Sequence, residues 1–282
     1  MTPFDERALS FACGADHLVG ILSLPPNPSP RGVVIVVGGP QVRCGSHRQF
    51  TLLARMLAAQ GTPVLRFDYR GMGDSEGTQR TFDTVDDDLR AAIDCFQREV
   101  PGLQQVVLWG LCDGAAAAAL YAPQDARVAG LVLLNPWVRT EEGAARATLK
   151  HYYRDRLRDP ALWKKIAQGG FNPLKAAASF VGVARRALLP APAKPDAGCG
   201  AALPERLHGS LLRFEGRVLV VLSGADLTAQ EFSVVAEAPH WRSLLQQPRF
   251  VRHTLAGADH TFSRRAWYEQ AGAWTADWLT AW

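Results

Sequence analysis

The chain has 282 residues, enough for one large core or a core with an insertion. Its composition, 48% hydrophobic and 21% charged, is that of an ordinary soluble globular protein. A net charge of +4 is too small to imply nucleic acid, and the five cysteines (Cys13, Cys44, Cys95, Cys112, Cys199) are an odd number without paired spacing, which argues against a disulfide framework and a zinc site. No apolar run is long enough to span a bilayer, and Met1–Arg7 lacks the basic-then-apolar order of a signal peptide, so the expected location is cytoplasmic.

In chain order, residues 7–12 and 18–24 are expected to form a β-hairpin of two edge strands, followed by a proline-rich connector from Pro25 to Pro30. Val33–Val37 is a continuous β-branched run, which suits a central parallel strand buried on both faces. Helical periodicity over 48–60 aligns Phe50, Leu53, Met56 and Leu57 and stops at Gly61. A strand is expected over Pro63–Phe67, a helix over 82–99 with Val85, Leu89, Ile93 and Phe96 inward, and strands over Val106–Trp109 and Val128–Leu134. Alternation of strand and helix predicts an α/β fold with a mainly parallel sheet.

The rhythm breaks at Asn135-Pro136. Residues 139–189 read as helices without strands, and 190–204, rich in Pro, Ala and Gly, as a mobile loop. Strands return at Arg217–Leu222 and Phe250–Leu255, and a helix closes the chain over about 264–281 with Trp267, Trp274 and Trp278 as core anchors. The expected organisation is a core of residues 1–136 and 206–282 with a helical cap inserted at 137–205. Between Arg139 and Arg186 eleven Lys/Arg meet four Asp/Glu, so this segment carries +7 and the rest about −3. On a helix the charges of Arg154-Asp155-Arg156-Leu157-Arg158-Asp159 cannot all face one way, so some must point to solvent, but a basic cap would also suit an anionic acyl substrate.

The most informative stretch is Val106-Val-Leu-Trp-Gly-Leu-Cys-Asp-Gly114, followed by Ala115–Ala119. An apolar strand runs into Gly-x-nucleophile-x-Gly, the spacing of a sharp strand-to-helix turn that lifts a nucleophile above a sheet, with Cys112 where serine usually stands. Gly110 and Gly114 avoid clashes at that turn, the alanines let the helix approach the sheet, and the Asp113 N–H is aimed at the site as an oxyanion donor. A thiol nucleophile needs a base, and the base needs a carboxylate to orient it. Asp226 follows the strand that ends at Leu222, and His260 follows the strand that ends at Leu255. The order nucleophile, acid, histidine makes Cys112, Asp226 and His260 the expected triad. Asp259 is a rival acid, ranked behind because adjacent loop residues rarely point the same way. The loop Gly38-Gly39-Pro40-Gln41 after the first buried strand should supply the second oxyanion donor, from Gly39 or Gln41, since Pro40 has no N–H. Asp68-Tyr-Arg-Gly-Met-Gly-Asp-Ser-Glu-Gly77 reads as architecture, with Arg70 tying the loop down.

These motifs resemble those of the α/β-hydrolase superfamily. Val37–Gln41, Gly45–Phe50 and Arg66–Gly77 are together similar to the first type of hydrolase associated with exosortase A systems, over most of the chain but weakly in the cap. The resemblance implies an α/β-hydrolase fold, with helices on both faces of a twisted sheet, and a cytoplasmic hydrolase linked to exopolysaccharide or envelope biosynthesis. From the residues, the expected chemistry is acyl transfer through a thioester at Cys112, on small esters, thioesters or lactones and without a cofactor. Transfer to a sugar hydroxyl, or a non-catalytic binding role on the same frame, are the alternatives.

Overall fold

In the computed structural model the described residues are 3–39, 41–139 and 201–282. Almost all of the expected cap, its basic patch and the Pro/Ala/Gly-rich loop up to residue 200 lie outside them. Among the described residues one sheet has eight strands in the order β1-β2-β4-β3-β5-β6-β7-β8. They are β1 (Asp5–Cys13), β2 (Asp16–Leu24), β3 (Arg31–Val36), β4 (Val64–Phe67), β5 (Gln105–Leu111), β6 (Val128–Leu134), β7 (Arg217–Ser223) and β8 (Phe250–Leu255). β2 runs antiparallel to β1 and β4, and the strands from β4 to β8 are parallel to one another. Only β1 is therefore a free edge at that end. The expected second edge strand is instead bonded to β4, with Gly20 opposite Phe67, and the narrow glycine lets the two backbones meet there without a clash.

Helices α1 (Gln49–Ala58), α2 (Asp86–Glu99), α3 (Asp113–Tyr121), α4 (Leu203–Arg213), α5 (Leu227–Val235), α6 (Pro239–Leu245) and α7 (Arg265–Thr280) surround the sheet. The parity of β3 explains its unbroken Val/Ile run. Val34 and Val36 enter a core cluster with Leu89, Ile93 and Phe96 of α2, whereas Val33, Ile35 and Val37 enter a second cluster with Phe50 and Leu57 of α1. A parallel strand covered on both faces has no solvated side, so alternation disappears from its sequence.

Two boundaries differ from the expectation for a physical reason. α2 starts at Asp86 instead of 82, because Thr81, Asp83 and Thr84 hydrogen-bond among themselves, including Thr84 Oγ1 to the Thr81 carbonyl at 3.1 Å. Such local bonds compete with the first helical turn. α4 begins at Leu203, inside the stretch expected to be loop, with Pro204 in its first turn where the missing N–H costs nothing. Ser210 of α4 donates to the Ala119 carbonyl at 2.7 Å, which ties this helix to α3. On α7, Trp278 is buried as expected, but Trp267 and Trp274 are half-buried. Trp274 lies against the edge strand β8, where it stacks on His253 at 4.5 Å.

Candidate active site

Parallel pairing brings the C-terminal ends of β3, β5, β7 and β8 to one edge of the sheet. The loops that leave that edge carry Gly38–Gly39, Cys112–Asp113, Asp226 and His260. Cys112 has φ 59° and ψ −122°, a conformation that side-chain-bearing residues rarely adopt. It costs about 1–3 kcal/mol and persists only when its surroundings over-determine it. Those surroundings are explicit. The Cys112 N–H donates to the Leu134 carbonyl at 2.9 Å, and its own carbonyl accepts from Ala115, Ala116 and Trp137 at 3.1, 3.2 and 3.1 Å. Both elbow glycines are required. A Cβ on Gly110 would strike the Gly114 carbonyl, and one on Gly114 would lie 2.5 Å from the Val36 carbonyl oxygen. The five alanines that follow are buried, and they pack α3 close to β5 and β6.

Across the edge, His260 Nδ1 lies 3.0 Å from Asp226 Oδ2. Asp226 also caps α5, accepting the Ala229 N–H at 3.0 Å, so the carboxylate is held by its own helix before it meets the imidazole. Hydrogen bonds to Asp226 and to Cys112 raise the His260 pKa to about 10 against a desolvation that lowers it. The imidazole thus meets the carboxylate expected to orient it, and the thiol expected to be its partner acts on its pKa. Asp259 turns away from this line. Burial raises its pKa, but Ser263, through its hydroxyl and its N–H at 2.9 Å, and Thr261 hold it below the ordinary carboxylate value.

The three expected oxyanion donors behave unequally. The Gln41 N–H donates to the Gly38 carbonyl at 3.3 Å. The Gly39 N–H donates to Asp113 Oδ2 at 2.7 Å, while Gly114 N–H donates to Oδ1 of the same carboxylate at 3.1 Å. Burial holds the Asp113 carboxyl above its ordinary value, against the N–H groups of Gly39, Asp113 itself and Gly114 and the nearby His260, which lower it. The Gly39 N–H, one of the expected donors, is therefore taken up by the Asp113 side chain.

Sequence reasoning missed the clamp behind the histidine. Asn135, fully buried at φ 44°, donates from Nδ2 to Ser223 Oγ at 2.8 Å and to the His260 carbonyl at 3.0 Å, and it accepts the Ser223 N–H at 2.8 Å. Ser223 Oγ in turn donates to the Asp259 carbonyl at 2.8 Å. One side chain joins the ends of β6 and β7 to the loop that bears His260. The available signal was Asn135-Pro136 at a strand end, read only as a break in rhythm. Arg70 does tie its loop down, through paired bonds to the buried Asp88, the closest at 2.8 Å. Cys44 and Cys112 are both free thiols.

A cavity of about 320 Å³ adjoins the elbow, lined by Val37, Gly39, Tyr69, Arg80, Phe82 and Asp113 among others. Among the described residues no group of three or more His, Cys, Asp or Glu is arranged to hold a metal ion, and no helix is long and apolar enough to cross a membrane.

Strand order, elbow and loop placement together define the α/β-hydrolase fold. A family profile described as serine aminopeptidase, S33, matches residues 28–166. Human monoglyceride lipase is 30% identical over 116 residues, which is 40% of this chain, and the match spans little more than a third (37%) of that protein's length. Among solved structures, an esterase of Pyrococcus furiosus superposes with a TM-score of 0.66 at 16% identity, covering 99% of this chain and 93% of that one. A dienelactone hydrolase from Anabaena variabilis does so with a TM-score of 0.62 at 14% identity, covering 99% and 98%. The chain differs from the serine named in the family description by having cysteine at the elbow.

Proposed function

We propose that the protein is an esterase-type hydrolase that transfers an acyl group through Cys112, from small esters, thioesters or lactones to water. The observation that carries this reading is the imidazole of His260, held 3.0 Å from Asp226, with the Cys112 thiol at the strained elbow also acting to raise its pKa. His260 takes the proton of the Cys112 thiol, and Asp226 stabilises the imidazolium that forms. The thiolate attacks the acyl carbon, and a C–S bond forms as the carbonyl becomes an oxyanion. The imidazolium gives its proton to the leaving oxygen or sulfur, and the thioester remains on Cys112. A water then attacks, His260 takes its proton, and the C–S bond breaks to release the acid. Asp226 keeps the Nδ1–H in place throughout. The N–H groups of Asp113 and Gly39 receive the oxyanion, each contributing roughly 3 kcal/mol in comparable sites.

The fold similarity to an esterase and a dienelactone hydrolase favours acyl substrates without naming one. The cap expected at 137–205 carries +7 between Arg139 and Arg186, a charge that favours an anionic acyl group. A cytoplasmic role beside exosortase and exopolysaccharide systems rests on the resemblance of the Val37–Gln41 and Arg66–Gly77 motifs. The test is a panel of chromogenic esters and acyl thioesters with wild type and Cys112→Ala. Turnover of at least one substrate by wild type, lost in the variant, supports the reading. Equal turnover by both would place the nucleophile elsewhere.

A further inference from the structure

Asp113 is the residue next to the nucleophile, and its side chain does something the acyl-transfer mechanism does not use. Its carboxylate accepts the Gly39 N–H at 2.7 Å and the Gly114 N–H at 3.1 Å, so it occupies one of the two donors assigned to the acyl oxygen, that of Gly39. The fit is close. A Cβ on Gly38 would collide with Asp113 Oδ1, so the glycine loop is shaped around this carboxylate. An oxyanion and a second anion cannot both hold the Gly39 N–H, because they compete for the same bond and repel each other.

The same cavity offers the carboxylate another berth. Tyr69, 5% exposed, lines it and carries a buried hydroxyl without a hydrogen-bond partner. Arg80 lines it too, with a buried Nε that likewise lacks a partner. Buried donors are almost always paired in folded proteins, so two orphans in one cavity indicate an acceptor that arrives there in another state. The charge of Asp113 is already felt at Tyr69, whose hydroxyl burial keeps protonated and able to donate.

Resting on the acyl-transfer reading, we propose that Asp113 is a gate on the oxyanion site: its carboxylate fills the site at rest and moves from Gly39 to the Tyr69 hydroxyl when substrate binds. Asp113 is thus a positioning residue that sets access to the donors, and Tyr69 is the partner that stabilises the open state. The gate selects acyl groups whose carbonyl can displace a carboxylate, which favours activated esters and thioesters over amides.

The test compares wild type, Asp113→Ala, Asp113→Asn, Tyr69→Phe and Asp113→Ala/Tyr69→Phe. Asp113→Asn keeps the shape of the side chain and guards against misfolding of the smaller variant. With p-nitrophenyl acetate, Asp113→Ala should raise kcat/KM about tenfold and Asp113→Asn by less, since the amide still accepts the Gly39 N–H but more weakly. Tyr69→Phe should lower kcat/KM severalfold, and its effect should be at least fivefold smaller in the Asp113→Ala background. A fall in kcat/KM in both Asp113 variants, or an equal Tyr69→Phe effect in both backgrounds, would overturn the gate.

A second readout needs no turnover and separates this proposal from the acyl-transfer reading. Alkylation of Cys112 by iodoacetate relative to iodoacetamide should rise about tenfold in Asp113→Ala, because the vacated N–H groups accept the reagent's carboxylate. The rise should be clearly smaller in Asp113→Asn, where charge is removed but the amide oxygen still accepts the Gly39 N–H. Equal ratios in the two variants, whether raised or unchanged, would mean that the donors are not gated.

Discussion

At the elbow, backbone does the positioning; on the other side of the site, at the ends of β6, β7 and β8, buried side chains do it. Cys112 is fixed by close approach of glycine to main chain and by bonds to its own N–H and carbonyl. His260 is fixed by Asp226 at its ring and by Asn135 at its carbonyl, with Ser223 joining the two strands beneath. The contrast has consequences for tolerance. A backbone contact cannot yield to an added atom, so the elbow glycines should be intolerant of volume. A hydrogen-bonded clamp should be intolerant of lost donors and charge and forgiving of volume.

The largest effect should come from the charge at the ring. Asp226→Asn keeps the α5 cap, because Asn caps as well as Asp, but removes the anion. Turnover should fall roughly 100- to 10,000-fold, as expected when a histidine loses its orienting carboxylate. The His260 pKa, read by NMR titration, should drop from about 10. The sign for stability follows. A folded-state pKa raised above the unfolded value of about 6.5 stabilises fully below that value and ceases to do so as pH rises through about 10. Wild type should therefore exceed Asp226→Asn in urea midpoint most at pH 6, and the gap should shrink by pH 10.5. A gap that is constant with pH would contradict the account.

Volume at the elbow comes next. Gly114→Ala places a Cβ 2.5 Å from the Val36 carbonyl oxygen and 3.1 Å from the Val37 carbonyl carbon, both main chain. Urea unfolding should show a loss of about 2–4 kcal/mol. A loss under 1 kcal/mol would show that the turn can relax. Asn135→Ala should cost about 1–3 kcal/mol by leaving the buried Ser223 N–H unpaired, and it should lower kcat more than it alters KM, because the loop that bears His260 loosens. Asp259→Asn should be the mildest, with turnover within about threefold of wild type, since its partners are Ser263 and Thr261 of its own turn. A collapse of activity there would reinstate it as the acid.

The same contrast governs what was legible in the sequence. Strand positions, the parallel sheet and the elbow follow from patterns local in the chain: Val33–Val37 without alternation, Gly110 and Gly114 flanking Cys112, alanines after them. Asp226 and His260 were legible because each follows a strand whose direction the alternation had fixed. The clamp was not, because Asn135 and Ser223 are 88 residues apart and meet only when β6 pairs with β7. The side chain of Asp113 was not either. Its N–H was assigned by position, but its carboxylate reaches Gly39, 74 residues away, and no periodicity encodes that. The start of α2 was misplaced because Thr81 and Thr84 bond locally, a competition that apolar spacing does not register.

The central claim is that Cys112 carries the acyl group. It is tested most directly by mixing the protein with a p-nitrophenyl ester, quenching in acid within the first turnover, and mapping the adduct by peptide mass spectrometry. The account predicts the mass of one acyl group on Cys112, with nitrophenolate released in equal amount in a burst, and neither in Cys112→Ala. Turnover with Cys112 unmodified and the adduct on another residue, or with full activity in Cys112→Ala, would contradict it.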